Sequence, residues 1–312
     1  MEAMNRAILS YLQRQAWALD EHVLDSIYHV ICTKSFGQGV DIKAVEEAMG
    51  RELKNTYQVQ AKGSVMVLPV HGIVGKRMNL ISYYSGGVST DLLKRDIAAA
   101  LNNPEVDALV LDVDSPGGTI SGVLELADFI HANRGQKPII AHANELMASA
   151  AYWIGSAADK VYASKTANVG SIGVYMRHYD FSKYLEKEGI KPTYIFAGKY
   201  KTIGNQDEEL KGRERNIFQD EVDALYTMFV DSVVKNRGIS RGKVEEDALA
   251  LLAQPALDRG LIDGIMTFEE AVQKAGEMAT EKKDAEKKQN KFFSTATKLS
   301  EEADALIAKY SS

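Results

Sequence analysis

The 312-residue chain has one cysteine, Cys32, so no disulfide can form within it and no oxidative staple is available. That fits a reducing compartment, with Cys32 read as a small buried apolar residue. Its six histidines, His22, His29, His71, His131, His142 and His178, are scattered, and no Cys/His group has zinc-ligand spacing. Neither a metal nor any other cofactor is expected. Basic excess is also missing: 37 Lys and Arg stand against 43 Asp and Glu, for a net charge of −6. A nucleic-acid partner is therefore not expected, because phosphate binding needs a basic surface. Long apolar runs are absent too. No stretch approaches the roughly 18 residues of a membrane-spanning helix, and the N-terminus lacks the apolar run of about 7–15 residues that a signal peptide requires. A soluble, cytoplasmic protein is expected, and no internal repeat is visible.

An apolar fraction of 45% leaves ample material for a core. Residues 1–60 read as a helical segment. Ile8, Leu9 and Leu12 mark one short stretch, Val23, Ile27 and Ile31 a second, and a third follows Asp41 with Val45, Met49 and Leu53 inward. Gly37-Gln38-Gly39 reads as a break. From residue 61 to 276 the texture changes to apolar strands alternating with helices. The expected strands are Val65–Val70, Ala108–Val113, Pro138–His142, Lys160–Ala163, Pro192–Phe196 and a short one in Gly260–Ile265. Near-continuous apolar strands of this kind belong to a sheet covered on both faces. Helices are expected over Thr90 to about Asn102, Thr119 to about Asn133 and Ala150 to about Ala158, and a long one from about Arg215 to Asn236 carries Phe218, Val222, Leu225, Phe229 and Val233 as a core stripe. The alternation predicts an α/β architecture. Residues 277–312 read as a charged stretch, Glu281–Lys288, that is a solvated helix or a linker, followed by an amphipathic helix with Leu299, Ala303, Leu306 and Tyr310 on one side.

Three segments carry chemistry in order along the chain. Met147-Ala148-Ser149-Ala150-Ala151 follows a strand and opens a helix, so Ser149 is placed as a nucleophile among small neighbours that admit a substrate backbone. On its own, such a serine more often caps its helix. Asp114-Ser115-Pro116-Gly117-Gly118 ends a strand, reads as a tight turn, and with the first helical amide offers Gly118 and Ala150 as a pair of oxyanion donors. Lys201, in Gly198-Lys199-Tyr200-Lys201, follows an apolar segment that could desolvate it. A lysine acts as a base only when neutral, which burial promotes. Lys199 is the competing neighbour. A serine–histidine–aspartate triad fits less well, since Ser149 is in no Gly-x-Ser-x-Gly elbow and His142 on the entering strand reads as structural.

Asp114–Gly118, Ala148–Asp159, Gly170-Ser171-Ile172-Gly173-Val174, Gly198–Gly204 and Ala256–Asp263 together resemble the signal peptide peptidase A family, peptidase family S49. The resemblance implies a crotonase/Clp protease-like spiral of ββα units and a Ser-Lys dyad. Ser149 would be the nucleophile, Lys201 the general base, Ser171 the hydroxyl orienting the amine, and Gly118 and Ala150 the oxyanion hole. Ala150 stands where relatives often carry Gly, and Thr202 where an acidic residue commonly follows the lysine. Ala16-Trp17-Ala18-Leu19 and Tyr84–Thr90 look like the phage branch, which implies a head maturation protease acting on scaffold or portal protein, with sites near protomer contacts of a homo-oligomer. Two enzyme readings compete with it: a cytosolic bacterial signal-peptide-peptidase-like protease, and an acyl-CoA enzyme on the same fold. A capsid assembly scaffold protein is the alternative of another class.

Overall fold

The computed structural model describes residues 15–19, 23–24, 59–77, 87–245 and 248–310. Most of the expected N-terminal helices, Cys32 and the start of the Tyr84–Thr90 motif lie outside them. In chain order the elements are strands β1 (Trp17–Leu19), β2 (Gln60–Lys62), β3 (Val65–Gly75) and β4 (Gly87–Ser89), helix α1 (Thr90–Asn102), β5 (Ala108–Thr119), α2 (Val123–Ala132), β6 (Ile139–Ala148), α3 (Ala150–Ser156), β7 (Lys160–Ala163) and β8 (Asn168–Gly170). The rest are α4 (Ser182–Lys187), α5 (Gly212–Arg237), α6 (Arg241–Glu245), β9 (Ala250–Leu252), α7 (Ala253–Arg259), β10 (Gly264–Ile265) and α8 (Phe268–Tyr310).

The fold is the α/β class expected. Strand order β10-β7-β6-β5-β3-β2 is parallel except at β2. Side chains alternate between two faces, as extended backbone requires. Leu109, Leu111 and Val113 of β5 enter the main core under the helices, whereas Ala108 and Val110 face Ala271, Ala275 and Ala279 of α8.

The long strands change neighbours partway, and this positions the site. The first half of β6 pairs with β7 (Ile140↔Lys160 to Ala143↔Ala163), and its end pairs with β8 (Leu146↔Asn168 to Ala148↔Gly170). Register slips between Val113 and Ser115, and between His71 and Ile73, mark the same turn in β5 and β3. The Ser115 hydroxyl secures it, donating to the Gly72 carbonyl at 2.6 Å while accepting from the Gly117 N–H at 3.2 Å. Helix α3 is clamped from behind: Trp153 stacks on Phe229 of α5 at 4.4 Å, and the Tyr152 hydroxyl donates to the Leu261 carbonyl at 2.8 Å.

Three expectations are corrected. Trp17–Leu19, inside the segment read as helical, is a strand because β5 offers it an edge. Pro192–Phe196 has strand composition but forms no strand; it lies exposed, with the Tyr194 hydroxyl donating to Asp207. Pro-Gly-Gly is no isolated turn, since β5 runs through it to Thr119. Of the two readings of Glu281–Lys288, helix or linker, the structure shows the helix, as part of the continuous α8.

Candidate active site

Ser149 stands between β6 and α3. Its N–H donates to the Gly170 carbonyl at 2.7 Å, and its carbonyl accepts from the Trp153 N–H at 2.9 Å as the first helical bond. Between these anchors its backbone is forced to φ 55, ψ −120. The hydroxyl does not cap the helix. Its partner is the Gly173 carbonyl, a long 3.5 Å away, so it is turned from the helix toward the segment after β8. The capping interpretation is thereby excluded.

Ser171 lies next door, because β6 pairs Ala148 with Gly170. It too has positive φ, 52°, fixed by an N–H bond to the Leu249 carbonyl at 3.0 Å. Among the described residues, Ser149 and Ser171 are the non-glycine residues with positive φ. Each such conformation costs on the order of 1–3 kcal/mol and survives only where the surroundings over-determine it. Both strained serines sit on one pair of strand ends.

The donors come from β5 and α3. Ala150 is the first residue of α3, so its N–H has no partner within the helix. A Cβ on Gly117 would lie 3.0 Å from both the Ala150 nitrogen and the Ser149 Cβ, and 2.2 Å from the Ala18 carbonyl oxygen. Glycine is required there by φ 102 and by this crowding. Gly118 is equally constrained, since a Cβ would meet the Val74 carbonyl oxygen at 1.8 Å. Gly117 and Gly173 were not singled out as site residues by sequence reasoning; the doubled glycine was the available signal for the first.

Lys201 is exposed, in the turn closed by its N–H to the Gly198 carbonyl at 3.1 Å. Among the described residues no hydrogen bond or ion pair joins its amine to Ser149 or Ser171. Lys199 lies over the Tyr200 ring at 5.3 Å. The same loop exposes Ile195 (98%) and Phe196 (52%). The structure thus sets Ser149, Ala150 and Ser171 beside Gly117, the neighbour of Gly118, and leaves Lys201 at the surface of a single chain.

His142 and His71 are engaged elsewhere. His142 is buried, its Nε2–H donating to the Met266 carbonyl at 3.0 Å, with the Phe268 ring edge-on at 5.7 Å. Burial pushes its pKa down. His71 contacts Asp112 at 3.1 Å, and Asp112 also receives the Asn144 amide. That bond raises the His71 pKa against the opposing effect of partial burial. Among the described residues no cluster of His, Cys, Asp or Glu is arranged to hold a metal ion, and no helix is long and apolar enough to cross a membrane.

The profile of peptidase family S49 matches residues 131–282. Capsid assembly protease C of Escherichia phage lambda is 34% identical over 224 residues, covering 72% of this chain and 51% of that protein. The head-tail preconnector protein GP5 of Enterobacteria phage P21 is 32% identical over 226 residues, covering 72% of this chain and 45% of that one. The chain thus spans about half the length of the curated relatives it matches. A solved membrane-bound stomatin-specific protease is similar at 16% identity and TM-score 0.42, covering 69% of this chain and 86% of that one.

Proposed function

Because the chain belongs to peptidase family S49 through residues 131–282, we propose that it is a serine endopeptidase acting through a Ser149–Lys201 dyad. The Ser149 hydroxyl attacks the scissile carbonyl and passes its proton to the Lys201 amine. The N–H groups of Gly118 and Ala150 receive the oxyanion, and Lys201 then protonates the leaving amine. Water hydrolyses the resulting acyl-enzyme by the same route in reverse. Ser171 orients the amine. The observation that carries this reading is the strained, non-capping geometry of Ser149 beside an unpartnered helical amide and a glycine edge.

Exposed Lys201 fits this role only when something covers it. We infer a homo-oligomer in which a neighbouring copy, meeting the half-exposed N-terminal part of α5 and the apolar Ile195 and Phe196, strips water from the amine.

The lambda and P21 relatives favour a polypeptide of the phage head, scaffold or portal, as the substrate. On this reading the protein acts in the host cytoplasm or the prohead. The test is incubation of wild type and Ser149→Ala with a phage scaffold protein, with cut sites read by mass spectrometry. New termini with wild type alone support the assignment; identical intact scaffold in both refutes it.

A further inference from the structure

Strand β1 lies across the catalytic edge. On one side it pairs antiparallel with β5, Trp17↔Thr119, Ala18↔Gly118 and Leu19↔Gly117. On the other, Trp17 and Tyr175 exchange backbone bonds, Trp17 N–H to Tyr175 carbonyl at 2.9 Å and Tyr175 N–H to Trp17 carbonyl at 3.0 Å. One strand therefore fills a slot between the glycine edge of β5 and the segment that follows Ser171. A slot with backbone donors and acceptors on both walls is how proteins bind extended peptides of varied sequence.

Polarity and register sharpen the point. The strand runs from Thr119 toward Gly117, so its N-to-C direction leads to Ser149. Since Trp17 spends its backbone groups on Tyr175, and Ala16 accepts from the Ile120 N–H at 3.4 Å, strand alternation turns Ala18 toward β5 and aims the Gly118 N–H at the Ala18 carbonyl. That carbonyl oxygen, the Ser149 Cβ and the Ala150 nitrogen crowd the single spot where a Gly117 Cβ would stand. Ser149 is 1% exposed. The Trp17 indole packs with Leu19, Leu24, Val23 and Tyr175 in a cluster separate from the main core. Ala18, whose side chain points the other way, packs into the main core.

We propose that β1 is a built-in substrate mimic: it occupies the groove that receives an extended polypeptide, with the Ala18 carbonyl where the scissile carbonyl is held, and so caps the site of its own chain. The proposal rests on the peptidase reading above. A substrate must displace β1 to reach Ser149, so the reactive fraction of the protein is the fraction with β1 released.

The test compares full-length wild type, Trp17→Ala and Ser149→Ala. It reads the rate at which a fluorophosphonate labels Ser149, by mass spectrometry, and the hydrolysis of fluorescein-labelled casein. Loosening a cap that holds nine-tenths of the molecules closed raises both rates about tenfold. Adding the peptide Arg14–His22 in excess should return the variant to the wild-type rates, and the same peptide with Ala in place of Trp17 should not. Should Trp17→Ala fail to fold by circular dichroism, Ala18→Pro, which removes a ladder N–H but keeps the indole, takes its place. Folded variants no faster than a wild type that does label at Ser149 would overturn the cap and leave the peptidase reading intact. Absence of labelling and hydrolysis in every protein would overturn the peptidase reading, and the cap with it.

Discussion

Two serines with positive φ, one strand pairing apart, are the residues to which the proposed chemistry is assigned. Ser149→Ala relieves no strain, because φ 55 remains, so the fold should persist while peptide hydrolysis is abolished; steady-state assays alongside circular dichroism check both halves. Ser171→Ala removes a positioning group rather than a reacting one. Loss of such a bond is worth about 1–3 kcal/mol, or roughly 5- to 150-fold in kcat/KM. An unchanged kcat/KM across pH would remove Ser171 from the site. His71 and His142 provide pH dependences of opposite sign. The His71 pKa is raised by its bond to Asp112, so its stabilisation is complete below the unfolded value, about 6.5, and is lost as pH rises through the raised value. The His142 pKa is lowered by burial, so stability falls as pH drops below that same unfolded value and through the lowered one. Urea unfolding of His71→Ala and His142→Ala across this range should show the destabilisation of the first shrinking above neutrality and that of the second shrinking in acid. At this scale the sequence was most legible: Ser149, Ala150 and Ser171 lie on neighbouring strand ends, beside the Gly117-Gly118 stretch of β5. The apolar segment before Lys201 could desolvate it, yet Ile195 and Phe196 of that segment stand in solvent. Proximity along the chain could not tell a loop that folds inward from one that stays outside.

The elements that hold the site divide by how they are stabilised. Strands β3, β5 and β6 carry their own signal, because strands covered on both faces must be apolar nearly throughout. Helix α1 begins at Thr90 as read, with the Ser89 hydroxyl accepting from the Leu92 N–H at 3.3 Å. Strands β8, β9 and β1 had no such signal: three residues cannot show a period, and their extended form comes from the edges they meet. Pro192–Phe196 is the converse, with the composition of a strand and no edge. The stack of Trp153 on Phe229 is the main brace behind the nucleophile, and truncating a buried aromatic of this size costs about 3–5 kcal/mol. Trp153→Ala should lower the unfolding free energy by that amount, measured in urea, and raise the mobility of α3. A brace elsewhere would leave the midpoint unmoved.

For the whole molecule, the separation of Lys201 from the serines is the central feature, and association of copies is its proposed resolution. Light scattering and activity followed through a dilution series should fall together; a fully active monomer would refute the interface role. The central claim is that Ser149 forms an acyl-enzyme with the peptide substrate, and intact-mass spectrometry under acid quench reads it directly. The account predicts that wild type mixed with a cleavable peptide ester gains the mass of the acyl group on the tryptic peptide containing Ser149, and that Ser149→Ala gains nothing. An adduct on any other residue, or undiminished peptide hydrolysis by Ser149→Ala, would contradict it.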